Sequence, residues 1–481
     1  MSFKKIIFSG LIWTAIDTFF LRGILFIATI VLARILGPAD FGIVGMITIF
    51  ITVGNSLVDS GLSASLIRTP EANDEDFSTV FYLNLANSLL IYLIVFSLAP
   101  YIADFFNQEI LVNIIRLYCT TFVISAFSSI QLAILDKKMK FKKMMLCNIP
   151  GIVLGVIVGI GLGYFGFGVW SIVIMQLVTQ LIQSIFLWFY SDWKPSLTFS
   201  KEKMKQHYGF GYKLMLSSLI NTVFKNINNV VIGKFFSVQS LGFYERARTF
   251  NEYPVSALTA IIGKVSYPLL SRIQNEKERI TVVYKQLLQF TIFIVTPIML
   301  AFAAIAKPLF LLVLGPAWLP ATPFFKILAL ASVFYPIHAF NLDILKVFGY
   351  SNLFLKLEII NKLILVLSII IGFQFGIYGL VWTGVSSSII SLLINTYYSS
   401  GIVHYSIKEQ LLDMLPVFFI TIVMYFIISG TIYLLNNYSL YIQIIIPSLI
   451  GLTLYVYVNY LIKSAPFLLV SKLLKERTIL K

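Results

Sequence analysis

Long apolar segments, separated by short polar ones, recur along the whole chain. A helix that spans a bilayer needs roughly 20 predominantly apolar residues at about 1.5 Å rise per residue. The pattern therefore predicts about fourteen spanning helices, at residues 10–35, 41–66, 78–103, 110–135, 145–164, 167–190, 208–233, 239–270, 283–306, 321–345, 354–373, 377–401, 412–434 and 440–462. The predicted fold class is an all-α, polytopic membrane protein.

The composition excludes the other broad classes of protein. Apolar residues make up 58% of the 481 positions and charged residues only 12%, about half of what a soluble domain carries. Too few charged side chains are present to cover a soluble protein of this size, so a soluble enzyme, a secreted disulfide scaffold and a disordered chain are excluded. The two cysteines, Cys119 and Cys147, lie in apolar segments and are predicted to be small apolar fillers.

The net charge of +15 is explained by the positions of the basic residues. Most lysines and arginines fall in alternate connections, such as 137–143 and 201–205, and few fall in the others. This bias predicts that both termini are cytoplasmic, and it accounts for the basic character without a nucleic acid partner. The tail, 465–481, alternates apolar and basic residues, which favours an amphipathic helix on the inner membrane surface.

The chain also contains a weak internal repeat. The pair Phe41-Gly42 matches Leu241-Gly242 at an offset of 200, and 132–135 matches 342–345 at an offset of 210. Helices 1–6 and 7–12 are therefore predicted to be two parallel copies related by an axis along the membrane normal, which implies a central cavity and alternating access. The predicted organisation is a six-helix bundle at 1–200, a second at 201–405, and helices 13 and 14 with a basic tail at 406–481.

Motifs for enzyme chemistry are scarce in the sequence. It contains no GxSxG, Walker or GxGxxG motif in a suitable context, and His207, His338 and His404 are scattered. We predict neither a cofactor nor a metal site. Glycines recur every four residues from Gly151 to Gly163, which favours close packing of a neighbouring helix.

Charged residues inside the predicted spans are the most informative chemical signal, because each costs a few kcal/mol at the bilayer centre unless it faces water or a partner. They concentrate on helices 1, 7 and 8. The cations are Arg22, Lys213, Lys225, Arg246 and Arg248, and the acids are Asp17, Glu245 and Glu252. Because the cations outnumber the acids, we predict a cavity that binds an anionic cargo, with the acids organising the cations or coupling an ion. The alternative is that these charges pair with one another and are structural.

Three segments resemble signatures of a known family: 32–42 in the first loop, 135–143 after helix 4, and 166–170 entering helix 6. With its six-plus-six-plus-two helices, the chain resembles the Wzx-type polysaccharide flippases of the multidrug/oligosaccharidyl-lipid/polysaccharide exporter superfamily. The similarity covers essentially the whole chain and is closest to the teichuronic-acid and colanic-acid exporter branch. In related flippases, arginines on the first and eighth helices serve the pyrophosphate, which fits Arg22, Arg246 and Arg248.

The resemblance implies a V-shaped transporter in the bacterial cytoplasmic membrane. It would flip undecaprenyl-diphosphate-linked oligosaccharides, such as capsule, exopolysaccharide or O-antigen units, among membrane lipids and beside a glycan polymerase and other export components. One alternative is an ion-coupled multidrug extruder, although an acidic cavity is expected for cationic drugs. Another is a membrane glycosyltransferase or polymerase of the same pathway, although such enzymes usually carry larger outer loops than those here.

Overall fold

The computed structural model describes residues 20–471, which form helices joined by short connections. By contacts the chain divides into two compact units, Met1–Gly242 and Phe243–Lys481. The helices up to the boundary are α1 Arg22–Ile35, α2 Pro38–Asp59, α3 Leu62–Arg68, α4 Asp74–Phe106, α5 Ile110–Tyr118, α6 Thr120–Lys137, α7 Phe141–Tyr164, α8 Val169–Tyr190 and α9 Lys201–Phe235.

Helix α10 begins before the boundary and continues into the second unit. The remaining helices are α10 Val238–Arg272, α11 Lys277–Ala304, α12 Ala306–Val313, α13 Ala321–Val347, α14 Ser351–Phe373, α15 Gly376–Val403, α16 Ile407–Leu434 and α17 Leu440–Leu461, with a 3-10 turn at Pro316–Trp318. The described residues contain no strand. The predicted amphipathic tail falls mostly outside the described residues.

The all-α membrane class is confirmed, and each predicted span coincides with one helix or a consecutive pair, except that residues 10–19 of the first span lie outside the described residues. Within the described residues, nine helical segments are long and apolar enough to cross a bilayer, and α1 and α13 contribute shorter apolar segments. The other three, α9, α10 and α14, carry lysine, arginine, glutamate or asparagine along their length. In these three helices the polar residues interrupt the continuous apolar stretch that a membrane span normally has.

Close helix packing in the first unit depends on the predicted glycine series of α7. A side chain at Gly155 would overlap the hydroxyl of Thr179 on α8, and one at Gly159 would come within 2.6 Å of Met175. Because only glycine leaves this space, α7 and α8 approach along most of their length. The prediction that these glycines serve packing is confirmed.

The packing boundary differs from the boundary that the repeat predicts. Helix α9 starts the second predicted copy, yet it packs on α2, α3 and α4 of the first unit. The compact units therefore separate after Gly242 rather than at residue 200. The domain boundaries 1–200, 201–405 and 406–481 remain a prediction about the duplicated sequence.

A polar cluster lies inside the second unit, where α11, α13 and α15 meet. The Asn341 side chain accepts hydrogen bonds from the Tyr284 hydroxyl at 2.5 Å and the Ser399 hydroxyl at 2.8 Å. Its amide nitrogen donates to Thr396 Oγ1 at 3.0 Å. All four side chains are buried, so the hydrogen bonds join three helices where water does not compete.

Candidate transport site

The predicted cargo site falls on helices α1, α9 and α10. Asp17 lies outside the described residues, and Arg22 begins α1 without a described side chain. Lys213 and Lys225 lie on α9 in the first unit. The other four predicted residues lie on α10 in the second unit, and they are Glu245, Arg246, Arg248 and Glu252.

The two lysines of α9 do not form one cluster. They stand on a continuous helix, where twelve residues correspond to roughly 18 Å along the axis and about 120° around it. Both side chains are exposed, and Lys213 Nζ lies 5.9 Å from the centre of the Tyr212 ring. If both lysines contact the diphosphate, they must contact it from different positions along the α9 axis.

Polar side chains of α9 also hold it against α2. Asn229 donates to the Gly45 carbonyl at 3.4 Å, and the hydroxyls of Ser218 and Ser56 are 3.3 Å apart. These bonds are longer than the 2.9–3.0 Å typical of strong ones.

Arg248 is the centre of an ion-pair cluster on α10. Its Nε donates to Glu252 Oε1 at 2.9 Å, and its NH1 donates to Glu245 Oε1 at 3.4 Å. The i, i+3 and i+7 spacing of these three residues places them on one face of the helix. Arg248 and Glu245 are only 13% and 17% exposed, whereas Glu252 is 47% exposed and is the more accessible carboxylate.

Pairing of this kind changes the electrostatic picture of α10. Arg248 is held by two carboxylates, and the neighbouring Arg246 is buried. The two arginines and two glutamates of this cluster cancel in formal charge. The predicted excess of cations therefore depends on Arg22 and on the two lysines of α9, and a phosphate at Arg248 would compete with Glu245 and Glu252.

The starts of α2 and α10 touch through backbone. A Cβ on Gly42 would overlap the carbonyl oxygen of Val238, and a Cβ on Gly242 would overlap the carbonyl oxygen of Pro38. Pro38 and Val238 are related by the same offset of 200 as the two glycines. We call this reciprocal approach the glycine contact.

The first-loop signature builds its side of the glycine contact. Gly37 is extended, Pro38 starts the helix where no amide hydrogen is required, and the Gly37 amide donates to Asp40 Oδ2 at 3.2 Å. This capping fixes the direction of α2 at its first turn. Gly42 then leaves space for the α10 backbone.

A buried polar network lies beyond the end of α2, near the start of α9. His207 and Asp76 are fully buried, with Nε2 of the imidazole 2.9 Å from Asp76 Oδ1. His207 Nδ1 lies 2.8 Å from Ser65 Oγ, and Lys203 Nζ lies 3.1 Å from Asp76 Oδ1. The amide of Asn73 donates to Asp76 Oδ2 at 3.0 Å. We call these side chains the His207 network; it ties α3, α4 and α9 together.

Sequence reasoning did not identify the His207 network or the glycine contact. Asp76 and His207 are 131 residues apart, and no periodic pattern connects them. The recurring glycine at offset 200 was the available signal for the other contact. Among the described residues, no group of three or more histidine, cysteine or acidic side chains has the arrangement of a metal site.

The helices define an all-helical, multi-pass membrane protein whose fold matches that of a solved flippase. The structure titled lipid II flippase MurJ, inward closed conformation, superposes with a TM-score of 0.73 at 18% identity, covering 93% of this chain and 97% of that one. At this identity the likeness establishes the fold.

Sequence comparison then places the chain in a family. A profile of the family described as polysaccharide biosynthesis protein matches residues 31–323, so the chain belongs to that family. It is 24% identical to the teichuronic acid biosynthesis protein TuaB of Bacillus subtilis (strain 168), over 97% of each chain. It is 23% identical to the lipopolysaccharide biosynthesis protein WzxC of Escherichia coli (strain K12), over 78% of this chain and 76% of that one. The predicted resemblance to Wzx-type transporters, rather than to enzymes, is confirmed.

Proposed function

We propose that the chain is a flippase that carries an undecaprenyl-diphosphate-linked oligosaccharide across the bacterial cytoplasmic membrane. Membership of the polysaccharide biosynthesis family is the observation that carries the substrate class. The similarity to TuaB over nearly all of both chains supports the same conclusion. A glycan polymerase and other export components are the expected partners.

The mechanism we propose is alternating access between two closable ends of α2. The glycine contact lies at its start and the His207 network just beyond its end, separated by 22 helical residues or about 33 Å. That length matches the hydrocarbon thickness of a bilayer, about 30 Å. Parting one contact while keeping the other would open the cargo path to one side only.

Composition of the two ends supports reversible closure. The glycine contact brings backbone against backbone, and a similar approach joins Gly61 to Gly211 near the His207 network. At both ends the closest approach is made by glycine, with buried apolar side chains such as Leu241 and Leu62 beside it.

The cargo site in this proposal keeps the predicted residues. Arg22, Lys213, Lys225, Arg246 and Arg248 would hold the diphosphate, because guanidinium and ammonium groups suit phosphate oxygens. Asp17, Glu245 and Glu252 would organise them or couple an ion. Glu252 is the more exposed of the two carboxylates that pair with Arg248, so it is the one we assign to ion coupling.

The test is translocation of a fluorescent undecaprenyl-diphosphate oligosaccharide by the purified chain in proteoliposomes, with and without an ion gradient. Protein-dependent loss of accessibility to an outside quencher is the expected result. Transport of a cationic dye without transport of the lipid-linked sugar would favour the multidrug alternative. Transfer or elongation of sugar without translocation would favour a glycosyltransferase or polymerase.

A further inference from the structure

A separate polar cavity of about 250 Å³ lies within the first unit, where α4 begins and α6 and α8 end. It is lined by Gln131 of α6, by Lys138 and Lys143 after that helix, and by Trp193 and Lys194 after α8. It shares no residue with the predicted cargo site. The family signature at 135–143 supplies several of its lysines.

Two side chains in the lining of this cavity are buried and carry hydrogen-bonding atoms without a partner among the described residues. Gln131 is 1% exposed, and neither atom of its amide has a hydrogen-bond partner among the residues that the structure describes. The Nε1 of Trp193, which is 9% exposed, also has none within that part of the chain. Buried polar groups are normally paired, so these two donors and one acceptor are groups that a polar ligand would satisfy.

The rim of the cavity favours an anion. Its charged side chains are Lys138, Lys140, Lys143, Lys194, Asp74 and Asp192. Asp192 Oδ2 lies 4.0 Å from Lys140 Nζ and 3.7 Å from Lys143 Nζ, so one carboxylate is shared by two lysines. A positive balance remains at the mouth, which suits a phosphate group.

Trp193 fixes the segment that carries Lys194. Its ring packs edge-on against Phe77 and Phe81, with ring centres 6.1 Å apart in both pairs. The chain after α8 is thereby folded back onto α4. The cavity is thus formed by packed side chains rather than by exposed lysines alone.

An apolar groove of about 540 Å³ lies between α6 and α8. Phe127 lines the groove one helical turn before Gln131, and Phe189 lines it immediately before Tyr190 of the cavity. The remaining groove residues are almost all apolar. Residues of the cavity and of the groove are thus neighbours along both helices, and a molecule with a charged head and a hydrocarbon chain matches the pair.

We propose that the cavity and the groove together bind one anionic glycerophospholipid. Its phosphate lies at the lysine rim, the hydroxyls of its head group reach Gln131 and Trp193, and an acyl chain occupies the groove. The cavity is smaller than the about 300–1,000 Å³ of typical small-molecule sites, so it suits a phosphate with a small polyol and excludes an oligosaccharide. Basic pockets between membrane helices are known to select anionic head groups.

The test measures thermal unfolding of the full chain in detergent as phosphatidylglycerol or phosphatidylcholine is added. Phosphatidylglycerol is expected to raise the unfolding midpoint in a saturable way, and phosphatidylcholine is not. Gln131→Met should unfold no earlier than wild type without lipid, because the lost amide has no protein partner. It should bind phosphatidylglycerol roughly tenfold more weakly or worse. Lys205→Ala, which removes an exposed lysine outside the cavity, is the matched control for Lys138→Ala.

Three further arms identify the occupant. Ile185→Trp fills the groove and should weaken phosphatidylglycerol binding while leaving any response to soluble glycerol phosphate unchanged. The proposal is overturned if the two lipids give equal responses. It is also overturned if phosphatidylglycerol binds with equal affinity to wild type, Gln131→Met and Lys138→Ala. A full response to glycerol phosphate alone, or to polyprenyl phosphate but not phosphatidylglycerol, also overturns it. If Gln131→Met does not fold, the phosphatidylglycerol affinity of the double variant Lys138→Ala, Lys194→Ala tests the same site through its rim.

Discussion

Gly42 and Gly242 meet at the starts of α2 and α10, where a Cβ on Gly242 would lie 3.2 Å from the backbone nitrogen of Gly42. Each glycine also faces the carbonyl of the residue four positions before the other, Val238 or Pro38. This reciprocity is the property of a twofold contact between like surfaces. The two glycines are also the pair that the predicted internal repeat matches at an offset of 200.

Replacing Gly242 with valine should prevent closure at the glycine contact. The new side chain would overlap the Pro38 carbonyl, and overpacking of this kind costs about 1–3 kcal/mol. In a two-state gate that energy shifts the balance by roughly 5- to 150-fold toward the open form. Translocation of lipid-linked oligosaccharide in proteoliposomes should fall accordingly, while the amount of protein in the membrane is unchanged.

Gly161→Val provides the matched control for this substitution. Gly161 is a helical glycine of α7 around which no neighbouring atom lies within 4 Å of a Cβ. Its valine variant should transport normally. Normal transport by Gly242→Val would show that the glycine contact does not need to close during the cycle.

The His207 network should stabilise the first unit. In His207→Asn the shorter side chain cannot reach both Asp76 and Ser65, which leaves buried polar groups poorly paired. Such a loss costs about 1–3 kcal/mol of folding free energy. The thermal unfolding midpoint in detergent should fall.

His404→Asn is the control for the His207 substitution, because His404 is exposed and has the left-handed backbone conformation that asparagine tolerates. Its unfolding midpoint should match that of wild type. Equal midpoints for the two variants would mean that the network contributes little to stability.

Features that follow from a local sequence pattern were predictable, and features that join distant parts of the chain were not. The membrane spans were predictable within the described residues, because lipid selects long apolar segments. The pairing on α10 was predictable as well, because i, i+3 and i+7 positions share a helix face. The burial of His207 was not, because its partner Asp76 comes from a distant helix. Trp193, in a polar connection, likewise gave no sign that its ring would pack on Phe77 and create a cavity.

Asn341→Leu should destabilise the second unit by removing three hydrogen bonds between helices. Hydrogen bonds within membrane proteins average about 0.6 kcal/mol, so the expected loss is roughly 2 kcal/mol. Tyr284→Phe, which removes one of the three, should cost about a third of this. Unfolding in denaturant would measure both losses of stability. The control is Asn352→Leu, which changes an exposed asparagine and should have no effect. Equal stability of all variants would contradict a stabilising role of the Asn341 cluster.

Arg248→Ala should abolish glycan export without lowering the protein level, if Arg248 binds the diphosphate. Because Arg248 also neutralises Glu245 and Glu252, loss of export alone does not separate binding from charge balance. Arg248→Ala combined with Glu245→Gln and Glu252→Gln removes both carboxylate charges along with the arginine. A phosphate-binding role predicts that this triple variant remains inactive, whereas a purely structural role predicts that export returns.

The control for Arg248 is Arg279→Ala, which breaks a comparable pair with Glu276 on the protein surface at 3.0 Å. Exposed pairs contribute only about 0–1 kcal/mol, so export should be unchanged. Arg248→Lys should also fail, since an ammonium keeps the charge but lacks the planar fork that reaches two acceptors. The measurement is glycan export in a strain lacking the native gene, normalised to the membrane level of each variant. Normal export by Arg248→Ala would show that Arg248 is not part of the cargo site.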